Sequence, residues 1–463
     1  MGRSLILRNI INLSVSEVIS RLLNFISYVY LARVILADGF GTISFVIAFS
    51  SYFLLIVNFS SDIIASREVA RLQANRETFV SQIISTRILL AIVSYALFSV
   101  LVILLSTTST IRVGLLIYGL TFFAQAINLS WYFKGREKTA AITFAQISSS
   151  LINLLLVIIL VKNKTDLTGA IVIFTSVAFI NSMLMLIIYN GREKIDAGLG
   201  NERETPLILD AGLRREGKGR LILDAGLGNE RKTRLILDAG FIPPLAGFIK
   251  NSLKESFPVA IAGIMISIYY NLDHVMLGYI TDSTELGYYA AAYKIIIIAL
   301  VPAGIIYQSF LPQLSNCVND PVIRKDLMKT YSRWMLSLGA FSAMIIFLFA
   351  DQIVEIVYGG KFEGSVLLMR ILSFNIFLVF LNMTYGSPLI AWNKQKLFFY
   401  PIAAAAIGNI ILNILLIPRY HALGAAVATI SSELIVLAGF LPMHKKVTMQ
   451  LHTQAVLEMK SVV

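Results

Sequence analysis

The sequence is poor in reactive and charged side chains. Its 463 residues include one cysteine, Cys317, so it can build neither a disulfide framework nor a cysteine-based metal site. Its four histidines, His274, His421, His444 and His452, have no metal-ligand spacing. It lacks a Gly-x-x-x-x-Gly-Lys-Ser/Thr loop, so it does not carry the phosphate cradle needed to hydrolyse ATP, and no cofactor is expected. Charged residues make up only 14% of the chain, against about 25% in soluble domains. The composition is instead 57% hydrophobic, above the usual 45–50% or so, with a mean hydropathy of +0.76. Both departures point to lipid as the solvent. The net charge of +12 does not indicate nucleic acid, because the bases fall mostly between apolar runs, where a membrane protein places them. The first apolar run carries Glu17 and Arg21 and is long, so it reads as a span and not as a cleavable signal peptide.

A helix needs about 20 apolar residues to cross the hydrocarbon layer. Runs of that kind give twelve spans: roughly 10–36, 39–60, 79–106, 113–133, 139–161 and 168–190, then 256–280, 287–311, 331–350, 365–391, 397–417 and 422–442. With both termini in the cytoplasm, the inside segments hold 29 of the 39 Lys and Arg residues, and every outside loop is short. Trp131, Trp334 and Trp392 fall at the expected cytoplasmic span ends, the place of an interfacial aromatic belt.

The two sets of six spans look alike. Gly41 opens span two and Gly287 opens span eight; Gly169 and Gly424 stand at the starts of spans six and twelve. Six spans per half give both halves one orientation and place a substrate site between them. The expected fold is therefore an all-α polytopic membrane protein of about twelve helices, in two six-helix pseudo-symmetric bundles around a central polar cavity. Its divisions are 1–190, a cytoplasmic loop at 191–255, 256–442 and a cytoplasmic tail at 443–463. The loop contains a separate repeat: Asp196, Asp210, Asp224 and Asp238 each begin Asp-Ala-Gly, at intervals of fourteen. So short a unit fits no usual solenoid, and it reads as a duplicated insertion forming a basic linker, with a lipid-headgroup or regulatory contact as the alternative.

Several stretches together resemble a known family. Ser252–Pro258, Ile268–Gly278 with Asp273 inside it, and Leu286–Lys294 are similar to the start of the second half of bacterial polysaccharide repeat-unit flippases. These belong to the multidrug/oligosaccharidyl-lipid/polysaccharide exporter superfamily. Ser66–Arg71, Trp131–Gly135, Tyr358–Phe362 and Asn409–Gly424 agree, so the resemblance covers nearly the whole chain except about 191–247. It implies alternating access that carries a polyprenyl-diphosphate-linked oligosaccharide from the cytoplasmic to the periplasmic leaflet of the bacterial inner membrane. Without ATP hydrolysis, transport must draw on an ion gradient, with H+ or Na+ as candidates, on substrate and product concentrations, or on a partner; membrane lipids and polysaccharide polymerase and glycosyltransferase machinery are the candidate partners. The repeat insert departs from the family's pattern, and twelve spans set the chain apart from the fourteen-span lipid II flippases.

Such a task needs cations for the diphosphate and amides or tyrosines for sugar hydroxyls. An intramembrane charge costs roughly 2.5–3.5 kcal/mol on insertion scales, so each one needs a reason. Arg21 lies mid-span with Glu17 one turn before it: a structural ion pair, or a diphosphate contact freed when Glu17 is protonated. Asp273 and Lys294 fall at equal depth on adjacent spans, which suggests a second pair, or an ion-coupling acid and a phosphate-binding base. Arg87 is a diphosphate candidate, although snorkelling to the headgroups explains it and Arg370 as well. Asn128 and Asn271 are sugar-binding candidates among intramembrane amides that also include Asn375, Asn382, Asn409 and Asn413; helix–helix bonding is their ordinary role. Tyr269 and Tyr270 could stack on sugar rings, and Pro258, Pro302 and Pro388 could form hinges. Two other functions compete. A small-molecule antiporter of the same superfamily would favour acidic and aromatic residues for cationic drugs. A membrane polymerase or ligase would need a large outside loop, which this chain does not have.

Overall fold

The computed structural model describes residues 2–58, 61–71, 76–105, 107–203, 265, 267, 270–318 and 320–462. The repeat insert beyond residue 203, Pro258 and Tyr269 lie outside the described residues. Every regular element among those described is helical. Nine helical stretches are long and apolar enough to cross a membrane. Two of them double back. The helix Gly2–Asn58 breaks at Leu36 (φ 63°), and the rings of Tyr28 and Phe40 on either side lie 6.3 Å apart, although twelve helical residues would span about 18 Å. The helix Gln395–Val462 breaks at His421 (φ 51°), where a Cβ on Gly424 would lie 2.5 Å from the Leu416 carbonyl. These breaks separate spans one from two and eleven from twelve. Residues 270–280 are helical where span seven is expected.

Local chemistry accounts for the other interruptions. Span four is three short helices, Ser109–Gly119, Thr121–Ala126 and Ser130–Gly135. The Asn128 side chain accepts from the Ser130 amide at 3.0 Å and restarts the chain there. Span eight is Ser283–Ala299 followed by Val301–Asn316, with Pro302 in the first turn of the second piece, where a missing amide hydrogen does no harm. Pro388 sits instead inside the continuous helix Gly364–Ala391. The expected tail is an ordered continuation of span twelve: Val447 and Leu451 are buried with Leu314 and Trp392.

The cores give the arrangement of the halves. One hydrophobic cluster runs across both, joining Leu31, Phe40 and Phe45 to Leu286, Tyr289 and Phe362. Two further clusters stay apart, one around Trp131 and Tyr189 in the first half and one around Trp392 and Phe440 in the second. The halves are therefore fused at the end bearing Gly41 and divided at the other. At the fused end the two matching glycines meet. A Cβ on Gly41 would lie 1.8 Å from the Ser283 carbonyl oxygen, and one on Gly287 1.9 Å from that of Ala37. Each contact lies one turn before the opposite glycine, so the approach is reciprocal. Only glycine permits backbones this close. Thr42 and Ser283 hydroxyls meet there at 3.3 Å, and Arg33 of span one donates to the Val357 carbonyl at 2.8 Å, at the C-terminal end of the short helix Ala350–Tyr358.

The aromatic belt is only partly realised. Trp334 is exposed, but Trp131 and Trp392 are buried. They fill the two separate cores where the halves divide, because each half must close its own end there. Exposed aliphatics such as Leu97, Leu104, Ile159 and Ile187 form the surface presented to lipid.

Candidate functional site

A cavity of about 430 Å³ lies between the halves. Spans one and two supply Arg21, Tyr28 and Ser44; spans seven and eight supply Tyr270, Asn271, His274, Tyr293 and Lys294. Four of the sequence candidates, Arg21, Lys294, Tyr270 and Asn271, thus come together from opposite halves. Among the described residues no carboxylate lines this cavity. Arg21 pairs with Glu17 on its own helix, and both side chains are about half exposed (48% and 50%). The two also line a smaller hollow of about 90 Å³, with Leu300, Gly304 and Gln308 of span eight. Arg21 and Leu300 line both spaces, so the two hollows adjoin between spans one and eight.

Asp273 and Lys294 do not pair. Lys294 places its ammonium 4.1 Å from the centre of the Tyr28 ring, across the boundary between the halves. A ring face attracts a cation without neutralising it, so the charge stays available to an anion. Asp273 points the other way, into the second bundle, and is buried. It accepts from Tyr289 at 2.7 Å, Thr429 at 2.6 Å and Asn413 at 2.7 Å, and Asn413 donates in turn to Asn409 at 2.9 Å. All of its partners are neutral. Asn413 Oδ1 and Asn409 Nδ2 have no partner among the described residues. A buried carboxylate amid hydroxyls and incompletely satisfied amides is a chemical setting for a proton or a small hard cation.

Arg87 and Asn128 lie elsewhere. Arg87 is buried, pairs with Asp62 at 2.7 Å and stands 5.7 Å from the Trp131 ring centre. Burial in the core of the first half replaces the expected snorkelling. Asn128 donates toward Asn181 at 3.3 Å and Ser182 at 3.4 Å, within the same bundle. Arg370 pairs with Asp351. Asn382 binds the buried carboxylate of Glu433 at 2.6 Å. Glu433 was missed in the sequence, although an acid in the middle of span twelve is itself a signal. Tyr28 was missed too; it lies two turns after Arg21 on the same face, which its spacing discloses.

The family described as polysaccharide biosynthesis protein matches residues 6–203 and 232–318. The chain belongs to this family. The interval the match omits, 204–231, is 28 residues, two of the fourteen-residue units. A relative from Escherichia coli (strain K12), described as an O-antigen transporter, is 23% identical over 93% of this chain and 94% of its own length. Among solved structures, an inward-facing multidrug resistance MATE family transporter of the MOP superfamily superposes with a TM-score of 0.67 at 12% identity, covering 96% of this chain and 99% of that one. A lipid II flippase, MurJ, in an inward closed conformation superposes at 0.62 with 15% identity, covering 96% and 90%. These likenesses show that this polysaccharide biosynthesis family member has the multi-pass helical fold of that superfamily.

Proposed function

We propose that this family member is a flippase that moves a polyprenyl-diphosphate-linked oligosaccharide from the cytoplasmic to the outer leaflet of a bacterial inner membrane. The observation that carries this reading is the cavity: two cations, Arg21 and Lys294, reach it from opposite halves, and among the described residues no carboxylate lines it. A diphosphate is the headgroup such a pair fits. Tyr270 and Asn271, which line the same cavity, would meet the sugars, while the polyprenyl tail would remain in lipid. The relative described as an O-antigen transporter and the lipid II flippase fold support the same substrate class. A cationic-drug antiporter is disfavoured, since its pocket would need an acid facing the ligand.

In this reading both termini are cytoplasmic, the fused Gly41 end faces outward and the divided end opens to the cytoplasm. Residues 1–190 and 256–442 are the two moving bundles, and 191–255 is the linker. Asp273, with Asn409, Asn413 and Thr429, holds the coupling H+ or Na+. Arg87 and Asn128 belong to the scaffold of the first bundle. Polymerase and glycosyltransferase partners would act before and after the flip.

The test is transbilayer movement of a diphosphate-linked oligosaccharide lipid in proteoliposomes. Arg21→Ala and Lys294→Ala are each expected to reduce flipping at least about ten-fold, a charge-assisted bond being worth roughly 1.5–3 kcal/mol. Asp273→Asn is expected to abolish the response to an imposed ion gradient. Full flipping by the Arg21→Ala, Lys294→Ala double variant would remove the diphosphate from this cavity.

A further inference from the structure

A second hollow, of about 740 Å³, lies on the other half, away from the cavity. Lys394 lines it from the turn between spans ten and eleven; Lys445, Lys446, Met449, Gln450 and Thr453 line it from the continuation of span twelve. No carboxylate among the described residues contributes. All three lysines are exposed, and none has an ion-pair partner among the described residues. Three like charges around one hollow repel one another, and an anion between them removes that repulsion.

The walls are held in place. Asn393 takes a left-handed conformation (φ 58°), which asparagine tolerates, and the Lys394 amide then bonds the Leu389 carbonyl at 2.8 Å. On the opposite wall His444 Nδ1 lies 3.0 Å from the Tyr385 carbonyl oxygen, and its ring lies 5.3 Å from that of Trp392. Val447 and Leu451 bury the inner face of this helix, so the lysine-bearing face turns outward. The general excess of bases on cytoplasmic segments accounts for lysines here, but not for two separately anchored segments that surround one hollow with them.

We propose that this hollow binds the phosphate of an anionic membrane lipid, with the three ammonium groups on its oxygens and Met449 against the adjoining methylenes. The phosphate can belong to a glycerophospholipid or to a polyprenyl diphosphate. The experiment is native mass spectrometry of the full chain in a neutral detergent, titrated with dioctanoyl-phosphatidylglycerol, dioctanoyl-phosphatidylcholine or farnesyl diphosphate. Phosphatidylglycerol is expected to bind more tightly than phosphatidylcholine. The Lys394→Gln, Lys445→Gln, Lys446→Gln variant is expected to lose at least about ten-fold in affinity. Lys394→Gln alone, on the other segment, is expected to lose part of it, and Lys325→Gln, outside the hollow, none. Displacement of phosphatidylglycerol by farnesyl diphosphate assigns the site to diphosphate lipids; failure to displace assigns it to glycerophospholipids. Equal affinity of wild type and triple variant, or equal binding of the two phospholipids, overturns the proposal. Because binding is read without transport, that result leaves the flippase reading untouched.

Discussion

Depth in the membrane follows from counting residues, but direction around a helix depends on what packs beside it. Asp273 and Lys294 share a depth, and on that ground alone they should pair. The hydroxyls of Tyr289 and Thr429 and the amide of Asn413 capture Asp273 inside its own bundle, and Lys294 turns to Tyr28 of the opposite half. Arg87 shows the same effect more strongly. Near a span end it had a short route to the headgroups, yet it is 1% exposed and bound to Asp62. Removing one member of a buried pair leaves the other charge uncompensated, at a cost of about 3–5 kcal/mol. Arg87→Ala should therefore lower the thermal stability of the purified protein by an amount of that order. Asp62→Asn should cost more, because the charge it leaves uncompensated is the buried Arg87, whereas Arg87→Ala leaves an Asp62 that is 30% exposed and screened by water. In a double-mutant cycle the two losses should fall short of additive; strict additivity would mean that the pair contributes no coupling.

At the scale of elements, the spans and their order were legible because a long apolar run has few alternatives in lipid. The interruption within span eight was also legible, since Pro302 marks it as a hinge candidate. Less legible was how the turns after spans one and eleven close. Leu36 and His421 hold positive φ with no glycine to announce it, and only tertiary packing imposes that conformation. The paired glycines were visible as a repeat, but the sequence did not disclose that they touch. Their contact is the test of rocking between halves. With Cys317→Ser as background, Thr42→Cys and Ser283→Cys should form a disulfide under mild oxidation, since the native hydroxyls lie 3.3 Å apart. The cross-link should halt flipping in proteoliposomes, and reductant should restore it. Undiminished flipping by the fully cross-linked protein would show that these elements stay together throughout the cycle. Gly41→Leu should prevent the cross-link, because even a Cβ at that position would overlap the Ser283 carbonyl.

For the whole molecule, the two halves need a connection long enough to let them move but need no particular sequence in it. The 191–255 segment holds twelve Lys and Arg and four copies of Asp-Ala-Gly at a fixed interval, and the family match passes over 28 of its residues. A gap of two whole units is what in-frame duplication within this segment would leave. Linker length is a weak variable for stability: each doubling costs only about 0.6 kcal/mol in closure entropy. Excision of residues 204–231 should therefore leave membrane insertion, thermal stability and flipping at wild-type levels, in the same proteoliposome assay that reads Arg21 and Lys294. The shortened linker keeps the family-matched residues on both sides, so a loss of flipping with normal insertion would assign the repeat a part in transport. Loss of insertion itself would make its bases part of the topological signal, since they are the largest cluster on any side of the chain and orientation follows such clusters.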